Sequence, residues 1–449
     1  MPSHVVGRTQ SLIRNSRPSR PHAKSLSVDA QSVRSVQSND TNSGWTASLF
    51  GSSVPKRQGS YMNRLPVEMT TRHDKDQLPP TLSHESDDPQ ELEWNRFLVS
   101  LSRARHLKGE GISGGEVIGA SRFGQEGAEG KKKTEQLTRL VISGVPMKLR
   151  HPMWMELSAT AEMMRPDEYS RYLGARENDD QNEIEAILKD VPRTLTSKYD
   201  FYSGKGSKRL RDVLVAFVGK HPDLGYTQGL NTIAGYLLLA IPTEEDAFWM
   251  LCNIVENFFP SGYFARTDTM VSPLADNVLL REYVKEYMPI LSERMHDLEI
   301  PHRYTTPLRW FFTAFSSVLP EKALMRLWDI WLCLPTQCYT FLFAFALAIL
   351  SHNAEGLIKC EDSSEYYSYL DNELKIPTEE AELTELVKTA FKIGKKLENV
   401  IERRTEEHDK LKEMLGLEDK MRLRKTGSME VLVDREVGDE SAEIVLTQK

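Results

Sequence analysis

"LGYTQGLNTIAGYLLLAI", residues 224–241, joins two textures. Its second part sets Leu230, Ile233, Ala234, Leu237, Leu238 and Ile241 at the spacing of a helix with one apolar face. The same period recurs at Ile184, Ile187, Leu188 and Val191, and again at Leu210, Val213, Leu214 and Phe217. Prolines at 192, 222, 242, 260, 289, 301, 307, 320 and 335 fall mostly between such runs, where a missing N–H does least harm. No convincing period-two alternation with hairpin turns competes with this pattern. Trp94, Phe97, Leu98 and Leu101 add a further helix upstream. The expectation is an all-α fold, one large domain over residues 89–397. No repeat of fixed period is visible, which disfavours a regular solenoid.

Flanking segments read differently. Residues 1–88 are rich in Ser, Arg, Asn and Pro and predict a disordered basic tail. The Gly/Lys-rich stretch 108–134 predicts a flexible insert. It imitates a phosphate loop, but residues 124–131 are one residue longer than G-x-x-x-x-G-K, and Lys132 stands where Ser or Thr would hold magnesium. "SGKGSKR", residues 203–209, reads as a loop that starts a helix at Leu210. Residues 398–426 predict a charged helical extension with an interrupted stripe of Leu397, Ile401, Leu411, Met414 and Leu415, either a short coiled coil or a helix lying on the domain, and residues 427–449 a loose tail.

Composition excludes some classes. The 449-residue chain is 40% hydrophobic and carries a net charge of -8, so it lacks the overall basic field of a nucleic-acid binder. Cys252, Cys333, Cys338 and Cys360 form no C-x-x-C pair, so neither a metal site nor a disulfide framework is expected. The run 330–350 is uncharged and about as long as a membrane span, but Pro335, Thr336 and Gln337 interrupt it. "FLFAFALAIL" therefore reads as a buried helix.

Two places could carry chemistry. In "LKDVPR", residues 188–193, Pro192 disfavours helical geometry at Val191, and Arg193 emerges from the end of a packed helix. Asp190 lies three residues back and can hold its guanidinium. Read alone, an ordinary surface pair accounts for the same residues. In "LGYTQGLN", Gly225 and Gly229 bracket Tyr226, Thr227 and Gln228. Gln228 is placed in the first turn of the apolar helix, near its free N–H groups and the positive end of its dipole. A plain helix start capped near Thr227 is the alternative.

Together these segments resemble the TBC domain, the catalytic module of Rab GTPase-activating proteins. "LVISGVPMKLRHPMWMEL" is similar to the family's opening motif through Gly144, Pro146, Arg150 and Trp154. "ILKDVPR" resembles its I-x-x-D-x-x-R motif and "YTQG" its Y-x-Q-G motif. "WFFTAFSSVLPEKALMRLWD" and "FAFALAIL" resemble its C-terminal half. The resemblance implies a V-shaped helical domain that activates GTP hydrolysis by a GTP-bound Rab-type GTPase. Arg193 and Gln228 would be catalytic fingers supplied in trans. Asp190, Tyr226 and Gly229 would support them, and Arg150, Trp154, Arg326, Trp328 and Asp329 would be scaffold. GTP and magnesium would belong to the partner, so no cofactor, no resident metal and no stand-alone catalytic activity are expected. Cytoplasmic placement with peripheral contact to endomembranes, a role in vesicle trafficking and no nucleic-acid partner follow. A non-catalytic scaffold that binds a GTPase or a trafficking partner is the alternative, and the presence of both fingers separates the two. Leu195 and Thr196 depart from the aromatic and proline common after the family's arginine.

Overall fold

The computed structural model describes residues 88–108, 116–174, 181–265, 270–334 and 338–426, with backbone alone at 108, 181, 338 and 417–426. Among the described residues there is no strand. The helices run α1 (Pro89–Lys108), α2 (Gly127–Ser143), α3 (Met147–Leu157), α4 (Thr160–Met163), α5 (Glu168–Gly174) and α6 (Gln181–Asp190). Then follow α7 (Lys205–Lys220), α8 (Leu230–Ala240), α9 (Glu244–Asn253), α10 (Val271–Tyr287), α11 (Pro289–Asp297) and α12 (Arg309–Phe312). The last are α13 (Glu321–Cys333), α14 (Cys338–His352), α15 (Ala354–Lys359), α16 (Ser363–Ser368), α17 (Glu380–Gly394) and α18 (Val400–Thr426). The expected tails at 1–88 and 427–449 lie outside the described residues, Asp88 excepted.

The core is built around α14. Residues 341–350 are all buried, and the helix packs against α10, α13, α17 and α18. A helix that is apolar all round needs neighbours on every side. No helix among the described residues is long and apolar enough to cross a membrane.

A polar knot joins the amino-terminal half to α13. Asp329 is fully buried. It accepts from Arg150 Nε at 3.0 Å and Nη2 at 3.1 Å, from Trp154 Nε1 at 3.0 Å and from the Val145 N–H at 3.2 Å. Burial pushes its carboxyl pKa up, and Arg150 opposes that rise. One turn earlier Arg326 holds Glu380 and donates to the Ile142 carbonyl at 2.6 Å. Trp328 meets Trp154 edge-on with centroids 6.2 Å apart. Of the five residues of the expected scaffold, Arg150, Trp154, Trp328 and Asp329 thus meet between α3 and α13, while Arg326 ties α13 to α2 and α17.

One segment here differs from expectation. The described part of the 108–134 insert is ordered. Glu156 on α3 accepts four successive backbone N–H groups, from Val117 at 2.5 Å, Ile118 at 2.9 Å, Gly119 at 2.6 Å and Ala120 at 3.3 Å. Ile118 and Phe123 are buried, and α2 already contains Lys131 to Lys133. The chain does form an anion-binding nest, and the anion is its own carboxylate. The anchor lies more than thirty residues away, beyond the reach of local pattern.

The charged extension takes one of its two expected forms, a helix lying on the domain. α18 lies along α10, and Arg404 donates to the fully buried Asp276 at 3.1 Å. Tyr263 and Tyr339 donate to the other oxygen of Asp276 at 2.5 and 2.7 Å. Of the expected stripe, Leu397 and Leu411 are buried and Leu415 is packed, but Ile401 and Met414 are exposed. Arg403 and Arg404 stack on Tyr283 and Tyr263 instead, so two cations with long aliphatic stems hold this helix down.

Candidate functional site

α6 ends in a tight 3-10 turn, Val191–Arg193, that contains Pro192. The regular α-helix stops at Asp190, just ahead of the proline as expected, and the narrower turn carries the chain on to Arg193. Ile187 and Val191 are buried and fix the direction of this end. Asp190 is buried too, at 5% exposure, although the helical period put it off the apolar face. One of its oxygens takes the Arg193 guanidinium, and the other accepts the Tyr226 hydroxyl at 2.6 Å. The Arg193 side chain stays 64% exposed. It is thus anchored at one edge and open at the other. Burial, with Asp190 beside it, pushes the Tyr226 phenol far above the ordinary tyrosine range, so it remains a donor.

After Arg193 the chain turns sharply. Thr194 donates to the Asp190 carbonyl at 2.7 Å. Leu195 adopts φ 57°, a left-handed conformation uncommon for a branched residue. Its side chain fits where Gly235 of α8 has none, since a Cβ there would lie 2.9 Å from Leu195 Cδ1. The departure at Leu195 is thus accommodated by a gap in α8.

The second loop meets the first. Tyr226 N–H is held by Glu183 of α6. Gln228 is exposed and lies in a turn just before α8, not in its first turn as expected. Thr227 is not the cap either. Gly229 occupies that position with φ 109°, and its N–H donates to Asn231 Oδ1 at 2.8 Å. A Cβ at Gly229 would come within 2.8 Å of the Phe312 ring, so conformation and space both require glycine. The segment 203–209 is different as well: α7 begins at Lys205, five residues before Leu210.

The structure therefore brings Asp190, Arg193, Tyr226, Gln228 and Gly229 into two touching segments, and places Arg150 and Trp154 on α3 and Arg326, Trp328 and Asp329 on α13. Glu183, Thr194, Asn231, Gly235 and Phe312 join the site as well. Only Asn231, a short polar residue at a helix start, carries a local signal.

A cluster elsewhere was not legible in the sequence. His221, Cys252 and Glu256 bring potential metal-binding atoms within 4.8 Å of one another. The Lys220 ammonium already donates to the same Glu256 oxygen that lies 3.1 Å from His221 Nε2. A resident cation there opposes a metal ion. Burial also pushes the Cys252 thiol pKa well up, away from the thiolate a metal needs. Cys252, Cys333 and Cys360 are buried free thiols.

Residues 147–358 match the family model described as the Rab-GTPase-TBC domain. This chain belongs to the TBC domain family. Its TBC domain is similar to that of a TBC domain-containing protein of Schizosaccharomyces pombe, 32% identical over 62% of this chain and 35% of that protein. It is also similar to human small G protein signaling modulator 3, 34% identical over 60% of this chain and 35% of that protein. The chain thus spans little more than a third of the length of these relatives. Among solved structures, the Ypt/Rab-GAP domain of Gyp1p superposes with a TM-score of 0.53 at 17% identity, over 67% of this chain and 98% of that one. The Chlamydomonas flagellar RabGAP TBC domain gives 0.50 at 23% identity, over 67% and 92%. At these identities the likeness establishes the all-helical TBC fold.

Proposed function

We propose that this chain stimulates GTP hydrolysis by a Rab-type small GTPase, supplying Arg193 and Gln228 in trans. One observation carries the reading. Arg193 is held at one edge by a buried carboxylate, exposed at the other, and set in a loop that touches the loop of Gln228. An arginine placed this way enters a partner's site without having to be ordered first. The similarity to small G protein signaling modulator 3 and to solved Rab-GAP domains supports the same partner class.

The mechanism follows from charge and position. In the transition state negative charge spreads over the phosphoryl oxygens. A guanidinium freed from water stabilises that charge, and such fingers contribute about 10³ to 10⁵ in rate. Gln228 offers a neutral carboxamide, both donor and acceptor, suited to orienting the attacking water. Asp190 keeps the arginine aimed, and Tyr226 keeps Asp190 in place. Magnesium and nucleotide come with the partner. The reading gives a cytoplasmic location with peripheral contact to endomembranes, and a role in vesicle trafficking.

The test is stimulated GTP hydrolysis across a panel of purified Rab-type GTPases. The wild type should accelerate at least one. Arg193→Ala and Gln228→Ala should each lose most of that acceleration while melting as the wild type does. Binding of GTP-loaded GTPase with no acceleration would instead make the domain a scaffold.

A further inference from the structure

We propose that Asn231 is a positioning residue, a strut that joins the loop of Arg193 to the loop of Gln228 so that the two fingers act as one rigid unit. This rests on the proposed function and adds a residue and a device to it.

The strut is continuous. Gly229 N–H, next to Gln228, donates to Asn231 Oδ1 at 2.8 Å. Asn231 Nδ2 donates to Thr194 Oγ1, next to Arg193, at 2.8 Å. Thr194 Oγ1 donates in turn to the carbonyl of Asp190, which itself carries the arginine, at 2.7 Å. Asn231 and Thr194 are both buried.

The polarity of this chain leaves no alternative. A hydroxyl has a single proton, and Thr194 gives it to a carbonyl that can only accept. Its oxygen must therefore accept from Asn231, so the amide nitrogen faces Thr194 and the amide oxygen faces Gly229. The task needs a short side chain with a donor at one end and an acceptor at the other. Asp has no donor, and an apolar isostere has neither.

Other contacts make the spacing stiff. Gly229 is pressed against Phe312, Leu195 against Gly235, and Tyr226 is tied to both Glu183 and Asp190. The fingers are thus spaced before any partner arrives. A transition state that needs charge from one and water orientation from the other gains most from such fixed spacing, because misplacement by about 1 Å can cost about a hundredfold.

A side chain that merely capped α8 would affect stability alone, so the test separates turnover from affinity. Single-turnover hydrolysis uses the GTP-loaded GTPase that the wild type accelerates most. Thr194→Val breaks the strut at its arginine end and keeps the shape. Thr194→Ser restores the hydroxyl. Asn231→Ala breaks the strut at its centre. Thr194→Val and Asn231→Ala should each lower the maximal rate about ten- to a hundredfold, with the concentration for half-maximal rate changed less than about twofold. The double variant should be no worse than the poorer single one. Thr194→Ser should recover most of the rate. If Asn231→Ala fails to fold, the two Thr194 variants carry the comparison alone. An active wild type with undiminished maximal rates in Thr194→Val, or with additive losses in the double variant, overturns the strut and leaves the fingers standing. A wild type that accelerates no GTPase overturns both.

Discussion

Tyr226 donates its hydroxyl to Asp190 at 2.6 Å across two loops, and Asp190 passes that constraint to Arg193 through its other oxygen. The carboxylate is shared between a fixed partner and an exposed one. Tyr226→Phe should leave Arg193 in place but less firmly aimed. Loss of a hydrogen bond to a charged group is worth about 1.5–3 kcal/mol. If all of that appears in the transition state, the stimulated rate falls roughly ten- to a hundredfold. A variant with the wild-type maximal rate would remove Tyr226 from the aiming of the arginine.

Gly229→Ala tests the second loop. The added methyl meets the Phe312 ring at 2.8 Å, and the backbone sits at a φ of 109° that alanine rarely adopts. Strain of this kind costs about 1–3 kcal/mol. The variant should melt lower and turn over more slowly than its loss of folded protein explains. Circular dichroism melts alongside hydrolysis rates separate the two effects, and a melt matching the wild type would mean that the loop relaxes freely.

Arg404→Met should destabilise the domain by about 3–5 kcal/mol, the usual cost of stranding a buried charge. Asp276 then keeps only Tyr263 and Tyr339. Burial already raises its pKa, and loss of the opposing Arg404 raises it further. A carboxyl whose folded pKa lies above its unfolded value contributes stability below the unfolded value, and that contribution is lost as pH rises through the folded one. The deficit of the variant should therefore narrow between pH 7 and pH 5 in urea titrations. A deficit that widens on acidification contradicts the assignment.

Glu156→Gln turns an all-acceptor group into one that presents N–H to at least one of the donors at Val117, Ile118, Gly119 and Ala120. Each unsatisfied donor costs about 1–3 kcal/mol. Amide exchange at residues 117–120 should accelerate well beyond that of the core helices. Unchanged protection there would mean that the nest is not what orders the segment.

The helices were legible in the sequence because their signal is local. Ile187, Val191, Leu210 and Leu230 each face the core, as the helical period requires. The order of the short motifs, together with the all-helical reading, pointed to the TBC family. The closeness of Asp190 to Arg193 was legible as well, from a separation of three residues. The burial of Asp190 was not, because the helical period of α6 says nothing about a tyrosine arriving from position 226. Glu156 and its nest were hidden for the same reason, and so was the burial of Arg404 on a highly charged helix. Each is a polar residue made necessary by a partner more than thirty positions away, and such pairings leave no trace in periodicity. Leu195 failed differently: its left-handed turn depends on a missing side chain at Gly235.

α14 ends at His352, close to the boundary of the family match at residue 358, but its covering does not end there. α17 lies against it from beyond that boundary, and α18 closes over α10 with Arg404 reaching Asp276. A fragment cut at the boundary would put one side of an all-apolar helix in water and bury an aspartate without its cation. The part of the chain that identifies the family is thus smaller than the part that can stand alone, and trimming to the former should yield aggregates, not a minimal activator.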